Sequence, residues 1–263
     1  MTDTAPADDT AELVHLRIES GVATITLDSP RNRNALSAQL RGELAAHLRT
    51  AIDSPDARVI VLTHTGPVFC SGMDLKESRG ASADKQGVQD FPGTLQAIWS
   101  SPTPVIARLA GPARAGGVGL VAACDLAVAV DGATFAFSEV RIGVIPAVIS
   151  VPLVPKVDPA ALYELFLTGE PFDARRAEAI GLITRAVPGT ELDTEVDRFA
   201  GMLRLGAPGA LAATKELLRG PVTATMADDL AAMTAMSAER FASEEGQEGI
   251  AAFGEKRPPS WAV

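Results

Sequence analysis

The sequence has almost no cysteine. Cys70 and Cys124 are the two among 263 residues, which excludes a disulfide framework or a cysteine-rich zinc site and suits a reducing compartment. Positive charge is scarce as well: 23 Lys and Arg against 33 Asp and Glu leave a net charge of -10, the wrong balance for a nucleic-acid binder. No uncharged apolar run reaches the length of about 18 residues that a membrane span needs, so no membrane association is expected. The opening MTDTAPADDTAE is acidic and has no apolar stretch, so it does not read as a signal peptide. A cytoplasmic location is the expectation.

Several chemistries lack their signatures. His15, His47 and His64 stand at no zinc-ligand spacing such as His-Glu-x-x-His. No Gly-x-Ser-x-Gly elbow is present, which argues against an α/β-hydrolase serine. Gly111, Gly116, Gly117 and Gly119 fit neither Gly-x-Gly-x-x-Gly nor a phosphate loop ending in Gly-Lys-Ser/Thr, so dinucleotide and nucleotide readings lose their motif. Neither a metal nor a resident cofactor is expected.

What remains is an ordinary globular composition, 47% hydrophobic and 21% charged, long enough to bury a full core. Residues 1–11 are acidic and small and read as a mobile tail. Over 13–28, Val14, Leu16 and Ile18 alternate with His15, Arg17 and Glu19, and Ser20-Gly21 signals a tight turn, so this stretch is a β-hairpin. From Ser37, a good N-cap, Leu40, Leu44, Leu48 and Ala51 recur at helical spacing until Ser54-Pro55. RVIVLTH (58–64) and PVIARL (104–109) read as strands buried on both faces. Residues 78–93 read as a mobile loop. CDLAVAV (124–130) and ATFAFSE (133–139) read as further strands, so strand, loop and helix alternate in the manner of an α/β fold with parallel strands. After about residue 190 the strand signals stop and successive helices follow.

Two loops carry the chemistry. GPVFCSGMDLKE (66–77) and LAGPARAGGVGLVAACD (109–125) each leave a buried strand and enter a helix through glycine. Glycine lets backbone approach a ligand closely, and the first N–H groups of a helix have no internal partner. Side by side, two such loops can aim two backbone N–H groups at one oxygen, an oxyanion hole. A third segment, FAFSEVRIGVIPAVIS (135–150), sets Glu139 among apolar neighbours. Desolvation there raises a carboxyl's proton affinity toward what a general acid–base needs. The plain alternative is a surface glutamate paired with Arg141.

Five segments in order, SPRNRNALS (29–37), FCSGMDLKE (69–77), AGPARAGGVGLVAACDLAVA (110–129), FSEVRIGVIPA (137–147) and LTGEPFDARRAEAIGLI (167–183), resemble the crotonase family, the enoyl-CoA hydratase/isomerase superfamily. The resemblance covers about 13 to 255. It implies an α/β spiral of ββα repeats over 12–190, then a helical C-terminal trimerisation region over 191–263, assembled as a homotrimer or a dimer of trimers. The implied partner is an acyl-CoA thioester, with coenzyme A part of the substrate. By resemblance, the oxyanion donors are the N–H groups of Ser71 and Gly116. Gly117 and Gly119 continue that loop, Arg31, Asn32 and Arg33 lie beside the CoA adenine and phosphates, and Gly72, Met73, Asp74, Leu75 and Lys76 line the same channel. Phe253, Lys256 and Arg257 are candidates to complete a neighbouring copy's CoA pocket.

Hydratases of the best-known branch use two glutamates. The second matches Glu139; the first falls at Gly119, and the sequence resembles a bacterial branch lacking it. Ala115 replaces a usual glycine and Arg114 a usual apolar residue, which makes Arg114, with Arg141, a candidate grip for a distal carboxylate on the acyl group. The leading expectation is a hydratase-like lyase in which Glu139 delivers water to a 2-enoyl-CoA. The rivals are a single-glutamate double-bond isomerase and an acyl-CoA-binding protein with little or no activity.

Overall fold

The computed structural model describes residues 11–78 and 90–262. It opens on a hairpin of β1 (Val14–Glu19) and β2 (Val22–Leu27). Ser20 and Gly21 both take positive φ, 49° and 81°, the geometry of a two-residue turn whose twist matches its strands. Helix α1 (Ala38–Asp53) begins where Ser37 accepts the N–H of Leu40. Strand β3 (Val59–His64) leads to the short α2 (Leu75–Ser78) and then α3 (Phe91–Ser100). Most of the loop expected over 78–93 lies outside the described residues, but 91–93 form the first turn of α3, which Pro92 suits.

Next come β4 (Val105–Leu109), β5 (Ala113–Arg114), α4 (Gly116–Ala123), β6 (Leu126–Val130) and β7 (Thr134–Ala136). The strand expected over 133–139 is shorter than read: it stops at Ala136, and Glu139–Ile142 coil into a single 3-10 turn. Beyond it lie α5 (Ala147–Leu153), α6 (Pro159–Thr168), β8 (Phe172–Asp173), α7 (Ala174–Ala179) and β9 (Arg185–Val187). The chain then runs through α8 (Leu192–Leu205), α9 (Pro208–Thr223), α10 (Met226–Ala242) and α11 (Glu244–Glu255).

The large sheet has the order β1-β2-β3-β4-β6-β9, parallel except for the opening hairpin, and β5, β7 and β8 form a small second sheet. The repeat is visible in how the chain visits them. After β4 it steps to β5 and into α4; after β6 it steps to β7 and then to the turn and α5. Earlier turns do the same with single residues, since Leu36 bridges Met73 and Cys70 bridges Ala113, both in parallel. The result is an α/β spiral of ββα turns.

Side-chain alternation sorts the core. Ile60 and Leu62 of β3 face the cluster built with α1, α3 and α4, whereas Val59 and Val61 face Leu192, Val196, Phe199 and Ala200 of α8. A strand buried on both faces needs a helix on each, and α8 supplies the second. The helices after 190 are therefore docked on the core. Helix α10 packs on α5 and α3, and α11 packs on the 3-10 turn.

Candidate active site

Two loops, one after β3 and one after β4, are zipped together along their backbones. Phe69 N–H donates to Pro112 O at 3.0 Å and Arg114 N–H to Cys70 O at 2.9 Å. The approach is so close that a Cβ on Gly111 would fall 2.1 Å from Pro67 O, and one on Gly117 would fall 2.7 Å from Cys70 O. His64 at the end of β3 ties both roots: its Nε2 accepts the N–H of Ala110 at 3.0 Å while Nδ1 faces Thr65 O at 3.2 Å. The ring is buried and desolvation lowers its pKa, which suits the neutral form these contacts require.

The loops bring Gly116 and Ser71 to a cavity of about 390 Å³, but the two differ in what their N–H groups meet. The Ser71 side of the loop reaches the cavity, yet its N–H already donates to Arg33 O at 3.1 Å, so it is not a free donor. The free N–H belongs to Met73, which also lines the cavity and, among the described residues, donates to no acceptor. Between them Gly72 takes φ 90°, and a Cβ there would stand 3.6 Å from Gly116 N. Gly116 opens the eight-residue helix α4, whose first N–H groups have no intrahelical partner. Two residues whose N–H groups have no acceptor among the described residues thus line the same space.

Glu139 faces it as well. Its Oε2 is buried without a hydrogen-bond partner. Burial pushes the carboxyl up to about 7, opposed weakly by its own backbone N–H. The alternative pairing with Arg141 does not form: Arg141 is exposed and its Nε donates to Thr168 O at 3.0 Å. The turn carrying Glu139 rests on α11 by backbone contact. A Cβ on Gly249 would fall 2.2 Å from Ile142 O, and one on Gly143 would fall 2.3 Å from Glu245 O.

Around these polar groups the wall is apolar, with Phe91, Val144, Val148, Ile149, Phe241 and Ala252 prominent. Ile149 fills the space beside Gly119, its Cγ2 being 2.6 Å from where a Cβ on that glycine would lie. Neither Gly117 nor Gly119 reaches the cavity surface; both serve close packing of α4. Arg114 is also absent from the wall. Its guanidinium, desolvated and turned toward β7, donates to Ala113 O, Thr134 O and Thr134 Oγ1 at 2.5–2.9 Å. The expected grip on a distal carboxylate is therefore corrected to a structural clamp between β5 and β7.

The proposed CoA-side residues gather on two joined segments. Asn32 Nδ2 donates to Asp74 Oδ2 at 2.7 Å, and Asp74 Oδ1 accepts the N–H of Lys76. Arg31, Arg33 and Lys76 are exposed beside that link, and Leu75 lines the cavity. Phe253 and Arg257 line this chain's own cavity, while Lys256 does not. Asp125 lies elsewhere and is structural, paired with Lys215 at 2.7 Å and Arg219 at 3.1 Å. Among the described residues no group of three or more His, Cys, Asp or Glu is disposed to hold a metal ion. Sequence reasoning missed His64, Ile149, Phe241 and Ala252, which carry no motif and look like ordinary core residues.

The enoyl-CoA hydratase/isomerase family matches residues 17–263. Mouse enoyl-CoA hydratase domain-containing protein 3, mitochondrial, is 32% identical over 98% of this chain and 87% of its own length. A protein of Rhodobacter capsulatus named probable enoyl-CoA hydratase is 35% identical over 94% of this chain and 96% of its own. A crystal structure of an enoyl-CoA hydratase from Mycobacterium avium superposes with a TM-score of 0.87 at 43% identity, covering 95% of this chain and 99% of the other.

Proposed function

The chain belongs to the enoyl-CoA hydratase/isomerase family, and on that premise we propose an acyl-CoA enzyme that works through a thioester enolate with Glu139 as its single proton carrier. The reaction that the geometry favours is movement of a carbon–carbon double bond in an enoyl-CoA. The observation that carries this reading is that Glu139 is, among the described residues, the one carboxylate in the apolar wall, with Ile149 filling the space where a second carboxylate at position 119 would begin.

The thioester oxygen would accept the N–H groups of Met73 and Gly116, where charge develops in the transition state and each preorganised donor counts most. Glu139 takes a proton from C2 of a 3-enoyl thioester. The electron pair spreads through a dienolate to that oxygen. The carboxylic acid then returns the proton at C4, leaving the double bond between C2 and C3. A carboxyl near neutrality suits both halves of the transfer. Arg31, Arg33 and Lys76 would meet the CoA phosphates.

The names of the relatives favour a second reading, water addition, in which Glu139 deprotonates a water for attack at C3 and supplies the proton at C2. Incubation with 2-enoyl- and 3-enoyl-CoA in heavy-oxygen water and, separately, in deuterated water distinguishes the two. Double-bond movement without oxygen uptake supports the proposal. Heavy-oxygen 3-hydroxyacyl-CoA as the main product replaces it with hydration. Tight binding with neither product leaves an acyl-CoA-binding protein.

Assembly as a homotrimer or dimer of trimers, in the cytoplasm, belongs to the same proposal. Leu205, Leu217 and Leu218 stand more than three-quarters exposed on α8 and α9, apolar surface that association would cover, and both thiols are unpaired. Among the described residues no helix is long and apolar enough to cross a membrane. Sedimentation as a concentration-independent monomer would remove the assembly part.

A further inference from the structure

Resting on the reading that this cavity receives the acyl part of a CoA thioester, we infer that the group it selects is an uncharged hydrocarbon chain of medium length, and that α10 and α11 set that length. Away from the two loops, the wall is built by Ser237 and Phe241 of α10 and by Ala252 and Phe253 of α11, facing Val144 and Val148. At a volume of about 390 Å³, and roughly 30 Å³ for a group the size of a water or methylene, the space holds on the order of a dozen non-hydrogen atoms. Met73, Gly116 and Leu75 line the same cavity, so this volume also takes the thioester, and what remains still exceeds a two-carbon acyl group.

Among the described residues the cavity offers an acidic tail no buried cation. Among the described residues the wall contains two cations, Arg141 and Arg257. Arg257 is already neutralised: Glu248 takes both terminal nitrogens at 2.6 and 2.8 Å, and Glu255 takes Nε at 2.8 Å. Arg141 is exposed to solvent and held to Thr168 O. A carboxylate on the acyl chain would meet the unpartnered oxygen of Glu139 and apolar side chains, with no buried cation among the described residues to compensate its desolvation. Arg114 faces the other way, onto β7.

The test is calorimetric binding of saturated acyl-CoAs, whose occupancy is read without turnover. The series runs from acetyl through butyryl, hexanoyl and octanoyl to decanoyl, with glutaryl-CoA against pentanoyl-CoA. Affinity should rise about fourfold per methylene until the cavity is full, and glutaryl-CoA should bind on the order of tenfold or more weaker than pentanoyl-CoA. Ala252→Leu should move the plateau to shorter chains and Phe241→Ala to longer ones; should either variant fail to fold, the series on the unaltered protein decides. Equal affinity along the series, or glutaryl-CoA as tight as pentanoyl-CoA, overturns this inference and leaves the proposed function standing. No affinity for any acyl-CoA overturns both.

Discussion

A methyl group of Ile149 stands where a side chain on Gly119 would have to begin, 2.6 Å from the ideal Cβ position. The contact joins α5 to α4 and makes glycine a packing requirement at the position where the family resemblance implies an acid in the two-glutamate branch. Gain of a second carboxylate here needs two changes, one to introduce it and one to make room.

Gly119→Glu alone is therefore expected to cost on the order of 1–3 kcal/mol by overpacking, read as a drop in Tm. Adding Ile149→Ala should restore much of that loss and raise water addition relative to double-bond movement. If Gly119→Glu alone is as stable as the parent, the contact does not explain the glycine.

Glu139→Gln should lower kcat by at least about a hundredfold, because an amide keeps the shape and cannot carry a proton. In the parent, kcat/KM should fall below about pH 7 as the base is protonated. The stability effect has the opposite sense. A carboxyl raised from 4.5 to about 7 in the fold binds its proton more tightly there than in the unfolded chain. That contribution is fully present below 4.5 and is lost as pH rises through about 7, roughly 1–3 kcal/mol in all. Glu139→Gln should remove this slope, leaving the variant more stable than the parent at about pH 8. Thermal melts across pH check both signs.

Met73 separates backbone from side chain. Met73→Pro removes the N–H and should reduce kcat on the order of a hundredfold or more. Met73→Ala keeps the N–H and should reduce it far less. Equal losses in two folded variants would show that the thioester oxygen is held elsewhere.

Ala115 holds φ 47° and ψ -118°, a conformation suited to glycine, immediately before the Gly116 donor. Ala115→Gly should relieve about 1–3 kcal/mol of strain against the 0.5–1 kcal/mol or so that glycine's extra unfolded-chain freedom costs. A net gain of about 1 kcal/mol, or a Tm higher by about 2–4 °C, is the expected outcome in differential scanning calorimetry.

Much of this was legible in residue order. The hairpin, α1 with its Ser37 cap, the buried strands and the helices after 190 follow from period and capping, and Glu139 stood out as an acid among apolar neighbours. Direction within a loop was not legible. Ser71 and Met73 flank the same glycine, and only the carbonyl of Arg33, brought across by a left-handed residue at φ 53°, decides which N–H is taken. Arg114 failed for a similar reason: nothing in its neighbours says that its guanidinium turns back onto Thr134. Ile149, Phe241 and Ala252 were invisible because an apolar residue lining a cavity and one filling a core look alike in sequence.

The glycine seat of Gly249 under Ile142 has a consequence for biosynthesis. Domains generally fold as units as the chain leaves the ribosome. Helix α4, which carries the Gly116 donor, packs on α5 from further along the chain. The turn bearing Glu139 packs on α6 and on α11, and its backbone seat on α11 forms only once that far downstream helix has left the ribosome and docked. A chain cut short before α11 would therefore lack the backbone seat that holds the turn of Glu139.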